Sequence, residues 1–439
     1  MLGTTAAAVV LAGAVASGVQ PGGVLPMRER AAVIDGILRE RLDTLVPELM
    51  REHRTDMWIV MGREYNEDPV LRTMLPATWH SARRRTILVF HDSGGDERVE
   101  RLAVSRYPVG DLFASAWDPE EQPDQWARLA EIIDERDPER IGVNTSEWWG
   151  HADGLTHSEH GSLIGALSEE MRGRVVSAEA LAVGWLERRT ERELDVYASV
   201  CRIAHRIISE ALSERAVRPG VTTTDDLKWW CRERVNALGL EDWFHPIVSV
   251  QRPEAEGDFL DMMAGDNEVI RRGDLIHIDL GIRYLRLHTD TQRMAYVLRR
   301  GETEPPEGLR RAFARGNEMQ DVLTSCFEEG RTGNEVLRLA LEEARERGID
   351  AMVYTHPLGS HGHAAGTTIG MWDKQGGVPG TGDHPLHDRT AYAIELSILE
   401  TVPEWGGMEV RIMLEEDAVF EGGEVRYLDG RQTELRVIR

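Results

Sequence analysis

Cysteine is scarce: the three residues Cys201, Cys231 and Cys326 are odd in number and form no CxxC pair. That argues against both a disulfide framework and a thiolate zinc site. Positive charge is also in deficit, with Lys+Arg 51 against Asp+Glu 76 and a formal net charge of -25. A chain so charged repels phosphate backbones and anionic lipid at long range, so nucleic acid is not an expected partner. No apolar run is long enough to span a bilayer, which leaves no membrane role to expect. The run at 6–16, "AAAVVLAGAVA", has the length of a signal-peptide apolar region, with Ala14-Val15-Ala16 as a cleavage site. No Lys or Arg precedes Arg28. The expectation is export, periplasmic rather than cytoplasmic, with a disordered Ala-rich leader as the alternative; residues 1–27 stand apart in either case. Internal repeats are absent, and so are GxGxxG and GK[ST], the glycine patterns that cradle nucleotide phosphates.

What is present divides in two. At 439 residues the chain exceeds what one hydrophobic core usually serves. Residues 28–186 alternate a helical segment, "RERAAVIDGILRERLDTLVPELMREH", with short β-rich runs "DMWIVM", "RTILVFH", "RLAVSRY" and "ERIGVN", the pattern of a smaller mixed α/β domain without chemistry of its own. Residues 187–439 open with two long helices. Thr190 is the expected N-cap of the first, Leu194, Tyr197, Cys201, Ala204 and Ile208 its apolar stripe, and Pro219-Gly220 its end; the second is capped among Thr222 to Thr224. Strands are expected at Leu275–Gly281, Leu287–Leu298, Tyr392–Ile398 and Val410–Phe420. Helices followed by antiparallel strands make this an α+β domain.

Chemistry-bearing residues gather in those strands. "HIDLGIRYLRLHTDTQR" holds Asp279 and Asp290 in an apolar setting. If the chain reverses around Tyr284 and Leu285, the two acids face each other across neighbouring strands, with Cβ atoms roughly 5 Å apart. Paired carboxylates in a sheet repel and desolvate badly, and a metal ion is the simplest compensation. "THPLGSHGHAAGTTIG" adds His356, His361 and His363 among glycines, "TAYAIELSI" adds Glu395, and "EVRIMLEEDAVF" adds Glu415 and Glu416. Two Asp, one His and two Glu nearly neutralise two divalent cations. A single acid in a strand is as often an edge residue facing water. The histidines of "GHADGLTHSEH" (His151, His157, His160) lack a buried acid and are not expected to bind metal.

The order Asp-x-Gly, a second Asp eleven residues on, then His, Glu and Glu resembles the M24 metallopeptidases, the pita-bread family of methionine aminopeptidase, Xaa-Pro aminopeptidase, prolidase and creatinase. The resemblance implies a pita-bread catalytic domain at 187–439 behind a creatinase-like domain at 28–186. It implies two divalent metal ions, with Asp279 on one, His356 and Glu395 on the other, and Asp290 and Glu415 bridging. Hard ligands favour manganese, with Co, Fe or Zn possible. His363 is implied to stabilise the tetrahedral intermediate, Glu395 to shuttle a proton, and Arg411 to bind substrate. The expected function is an aminopeptidase or dipeptidase acting on short peptides from the N-terminus, in a homodimer. A metal-free creatinase-like C–N hydrolase and a non-catalytic peptide-binding module are the alternatives. Two assignments stay open: His363 could be the ligand in place of His356, and Glu416 could replace Glu415. The Xaa-Pro-cleaving relatives carry extra histidines near Met262 and Met352, so a preference for proline is doubtful.

Overall fold

The first domain is built on one sheet whose central strand is buried on both faces. In the computed structural model, which describes residues 23–95, 98–253 and 267–439, the strands β1 Met57–Arg63, β2 Arg85–His91, β3 Glu100–Ser105, β4 Ala114–Ser115, β5 Ile141–Val143 and β6 Val175–Ser177 lie in the order β4-β3-β2-β1-β5-β6. β1 reads as a continuous apolar run because Met57, Ile59 and Met61 enter one core cluster while Trp58 and Val60 enter the other. The helix Met27–Glu52 packs on the Trp58 side, together with Glu179–Glu187. Residues 1–22 of the proposed leader and Met262 lie outside the described residues, whereas Val24 is buried and the Leu25 amide donates to the Tyr284 hydroxyl. Among the described residues no helix is long and apolar enough to cross a membrane.

The second domain backs several small, mainly antiparallel sheets with two pairs of helices. Helices Glu191–Ala211 and Thr224–Ala237 enclose one core with β8 Ile247–Gln251, β9 Leu275–Leu280 and β12 Thr291–Val297. Helices Glu307–Ser325 and Gly333–Glu346 enclose the other with β16 Leu396–Val402, β17 Met408–Leu414 and β18 Asp417–Glu421. Three of these helices start with reciprocal capping boxes, Thr190 with Glu193, Thr223 with Asp226 and Thr332 with Glu335; the first two caps lie where the sequence places them. The stripe Leu194, Tyr197, Cys201, Ala204, Ile208 is buried throughout. The helix stops earlier than Pro219-Gly220, at Ala211: the Ser213 hydroxyl takes the Glu210 carbonyl, and the chain leaves the helix in a separate turn.

The reversal that brings the two acids together differs from expectation by one residue. β10 Ile282–Tyr284 meets β11 Leu287–His288 with Tyr284 opposite Leu287, so the turn is Leu285-Arg286, both at positive φ (55° and 66°). Positive φ at both central residues matches the right-handed strand twist even though neither is glycine. Arg286 helps to hold it, because its guanidinium donates to the carbonyls of Leu75 (2.5 Å) and Pro76 (3.2 Å) in the first domain. Asp279 therefore faces Gln292, and Asp290 is its diagonal neighbour instead of its direct partner.

The domains are joined through a buried charge knot. Arg41 on the first helix and Arg189 after the linker helix both donate to Glu193, which also caps its own helix; Arg41 further reaches the carbonyl of Arg188 at 2.8 Å and stacks over Trp185. Burial works against the Glu193 charge, but the guanidiniums of Arg189 and Arg41 outweigh it and hold the carboxyl below its usual range. Removing this shared acceptor leaves two buried cations uncompensated. Glu193→Ala is expected to lower unfolding free energy by about 3–5 kcal/mol in urea titration, whereas Arg39→Ala, which removes an exposed pair with Asp111, leaves the midpoint unchanged.

Candidate metal centre

The acids emerge where the strand ladders are interrupted. β15 Thr390–Ala393 and β16 are separated by Ile394 and Glu395, and β17 and β18 by Glu415 and Glu416. The register is the same on both sides of the gap, with Ala393 opposite Asp417 and Leu396 opposite Leu414, so Glu395 stands opposite Glu415. Glu415 in turn bridges to Gln292, and Gln292 faces Asp279. One row, Asp279, Gln292, Glu415, Glu395, thus runs across strands from two sheets that meet here. His356 begins β14 His356–Leu358 opposite Ala393, which brings its ring to the same place.

The donor atoms converge without partners. Oδ1 of Asp279, Oδ1 of Asp290, Nε2 of His356 and both carboxylate oxygens of Glu415 are buried and make no hydrogen bond among the described residues. His356 Nε2 lies 3.6 Å from Asp290 Oδ2 and 3.6 Å from Glu415 Oε1. Donor atoms within 4.8 Å of one another form the sets Asp279, Asp290, Glu415 and His356, Glu395, Glu415, so that Glu415 belongs to both; Asp290 also groups with His356 and His363. Burial pushes Asp279 up to about 7 and Glu395 up to about 8, the latter helped by the Asp279 charge. Burial, reinforced by mutual repulsion, raises Asp290 and Glu415 well above the carboxylate range, while it drives His356 down to about 3. Orphaned oxygens, repelling charges and a neutral imidazole are the chemistry of a divalent-cation site, so these residues fit the metals that the resemblance implies.

Glu416 turns the other way. Its carboxylate is held by Arg293 and by the Gln432 amide at 2.7 Å. His363 lies on the open side of the site, with its ring centroid 4.6 Å from that of His356 and 5.2 Å from that of Trp243. Arg411 donates to Ser397 at 3.0 Å. Ser397 lines a cavity of about 30 Å³ beside Glu395, together with Met352, Tyr354, Trp372 and Met413. His157 and His160 are exposed, whereas His151 crosses from the first domain and packs at 4.3 Å on His361, a placement that its sequence context did not suggest.

Several supporting residues carried no signal that spacing alone could reveal. Gln292 Nε2 donates to Glu395 Oε1 at 2.8 Å, and its own Oε1 accepts from His277 Nε2 at 2.8 Å, which fixes the direction of the amide. Asp417 accepts from the Asp290 amide at 3.0 Å and orients the segment that carries that acid. The acidic triplet Glu415-Glu416-Asp417 is the signal in the sequence, and strand alternation alone does not assign its three roles. A separate group, Glu187, His384 and His387, sits at the domain junction, where His384 Nε2 lies 3.0 Å from Glu187.

Comparison with known proteins agrees with this geometry. The sequence profile of Metallopeptidase family M24 matches residues 196–417. No curated protein sequence matches the chain. Among solved structures, the X-Pro aminopeptidase of Thermotoga maritima is similar at 18% identity and a TM-score of 0.62, covering 89% of this chain and 99% of that one. The Xaa-Pro dipeptidase of Bacillus anthracis follows at 17% and 0.57, covering 94% and 100%. Dipeptidase PepE of Mycobacterium ulcerans follows at 16% and 0.58, covering 93% and 98%. Their likeness shows a pita-bread catalytic fold behind a smaller first domain. Because the family profile spans half of the chain and ends beside the last of the clustered carboxylates, the protein belongs to metallopeptidase family M24 and is a peptidase of that family.

Proposed function

We propose that the protein is a dinuclear-metal aminopeptidase or dipeptidase that hydrolyses short peptides from the N-terminus without a strong demand for proline. The observation that supports this reading is the set of buried, partnerless donor atoms on Asp279, Asp290, His356 and Glu415, which, with Glu395, share members between two triads. In this reading Asp279 would hold one ion, His356 and Glu395 the other, with Asp290 and Glu415 serving both. Two divalent ions, when bound, would supply an activated water near neutral pH and polarisation of the scissile carbonyl. Manganese is favoured by the four carboxylates.

The chain's own residues do the rest. Gln292 ties down Oε1 of Glu395, leaving Oε2 as the atom that carries a proton toward the leaving amine. His363, exposed beside His356, donates to the oxygen of the tetrahedral intermediate. The small cavity beside Glu395 receives a substrate side chain. Its walls, Met352, Met413 and Trp372, are flexible or apolar and place no imidazole where a proline-selective site would need one. Arg411 donates to Ser397, which lines the same cavity, and in this reading its guanidinium meets a substrate carbonyl or carboxylate.

Asp290→Ala is expected to lose both ions in elemental analysis while keeping its circular dichroism. Its buried charge is opposed by burial first and then by Asp279, Glu395 and Asp417, so removing it relieves the metal-free fold. Two retained metals per chain would overturn the bridging role. His363→Ala is expected to lower kcat by about 10²-fold with metal content unchanged, and His356→Ala to lose metal and activity together; the reverse pattern would make His363 the ligand. For matched tripeptides differing only in Pro or Ala at the second residue, kcat/KM is expected to differ by less than about a hundredfold. A larger preference for Pro would show that residues other than histidine at the position of Met352 have built a proline pocket.

A further inference from the structure

A cavity of about 630 Å³ is lined by residues of both domains and by none of the proposed metal ligands. Trp243 and His361 belong to its wall. From His356 the ring centroids step 4.6 Å to His363 and a further 5.2 Å to Trp243. Trp243 therefore lies no more than about 10 Å from His356, within the reach of two or three extended residues at ~3.3–3.6 Å each.

Its charge is opposite to that of the molecule. In a chain of net charge -25 this one cavity gathers four arginines, Arg30, Arg72, Arg283 and Arg286, against two acids, Glu241 and Asp242. Both acids are already engaged, Glu241 with Arg283 at 2.8 Å and Asp242 with Arg232 at 2.8 Å. Arg30 is spent on the carbonyls of Leu25 and Gly239, and Arg286 on those of Leu75 and Pro76. Neither of these two guanidiniums meets a carboxylate. Burial, then Arg283 and Arg72, lower the Arg286 pKa to about 10 against the opposing charge of Asp35, so the arginines lie close enough to repel one another.

Two donors are left over. The guanidinium of Arg72, on the helix Pro69–Met74 of the first domain, is exposed and has no hydrogen bond or ion pair among the described residues. His361 Nδ1, across the cavity, is buried and has no partner either. We infer that this cavity is a carboxylate-binding site, with Arg72 as its principal anchor, which takes the free C-terminus of a peptide two or three residues beyond the scissile bond. The inference rests on the peptidase reading above and adds a substrate class: tri- and tetrapeptides with an unblocked C-terminus. It also gives the first domain a part in binding, since Arg72 is the arm that this domain extends into the cavity.

Hydrolysis of trialanine and of trialanine amide by the metal-loaded enzyme tests it, with calorimetric binding of the same two peptides as a readout independent of turnover. Wild type is expected to prefer the free acid at least tenfold in kcat/KM, mostly through KM, the size of one charge-assisted hydrogen bond. Arg72→Ala should bring the free acid down to the amide's value, and Arg72→Lys should restore part of the difference. Equal hydrolysis of acid and amide by wild type, or an unchanged ratio in Arg72→Ala, overturns the carboxylate site while leaving the peptidase reading intact. If neither peptide is hydrolysed, the peptidase reading fails and binding decides the cavity. Tighter binding of the acid, lost in Arg72→Ala, upholds the site; equal affinity overturns it.

Discussion

Four carboxylates, Asp279, Asp290, Glu395 and Glu415, share one buried space without an adjacent arginine or lysine to compensate them, and the architecture around the site depends on that conflict. A buried carboxylate costs several kcal/mol when it is neither paired nor neutralised. The buried guanidinium of Arg293, which follows Gln292 in the strand, is committed to Glu416 instead. The donors are therefore held in a state that only protonation or divalent cations can satisfy, and the raised pKa values of all four express this.

Holding such a set in place requires backbone that is rigid yet open at the right residues. The ladders break at Glu395 and at Glu415 while the register continues on both sides, so each acid is positioned by the paired strands that flank it. Neighbouring side chains complete the frame. His277 and Gln292 orient Glu395, and Asp417 orients Asp290 through its amide. These polar side chains lie outside the candidate ligand set, yet each fixes a residue within it.

The first domain is tied into the same frame. The knot of Arg41, Arg189 and Glu193 fixes the linker, and Arg286 at the tip of the β10–β11 turn clasps Leu75 and Pro76. That turn is the one whose geometry sets the offset of Asp279 and Asp290. The domain contact is thus mechanically linked to the strands that carry the candidate metal-site acids, and Arg286 also lines the cavity between the domains.

Local features were legible because they depend on near neighbours in the chain. The capping threonines, the buried helix stripe, the four β-rich runs of the first domain and the acids standing in apolar strands could all be read from residue type and period. The ligand set was visible as an ordered series of unusual residues, and its order resembles a family whose profile the chain matches. The sequence by itself determined which residues are too costly to bury without a cation. Tertiary structure alone decided the rest: the one-residue shift of the turn at Leu285-Arg286, the outward turn of Glu416 toward Arg293, and the approach of His151 and Arg72 from the first domain. Each of these is a choice between partners far apart in sequence, and no local propensity distinguishes them, because their energies arise only when distant segments pack.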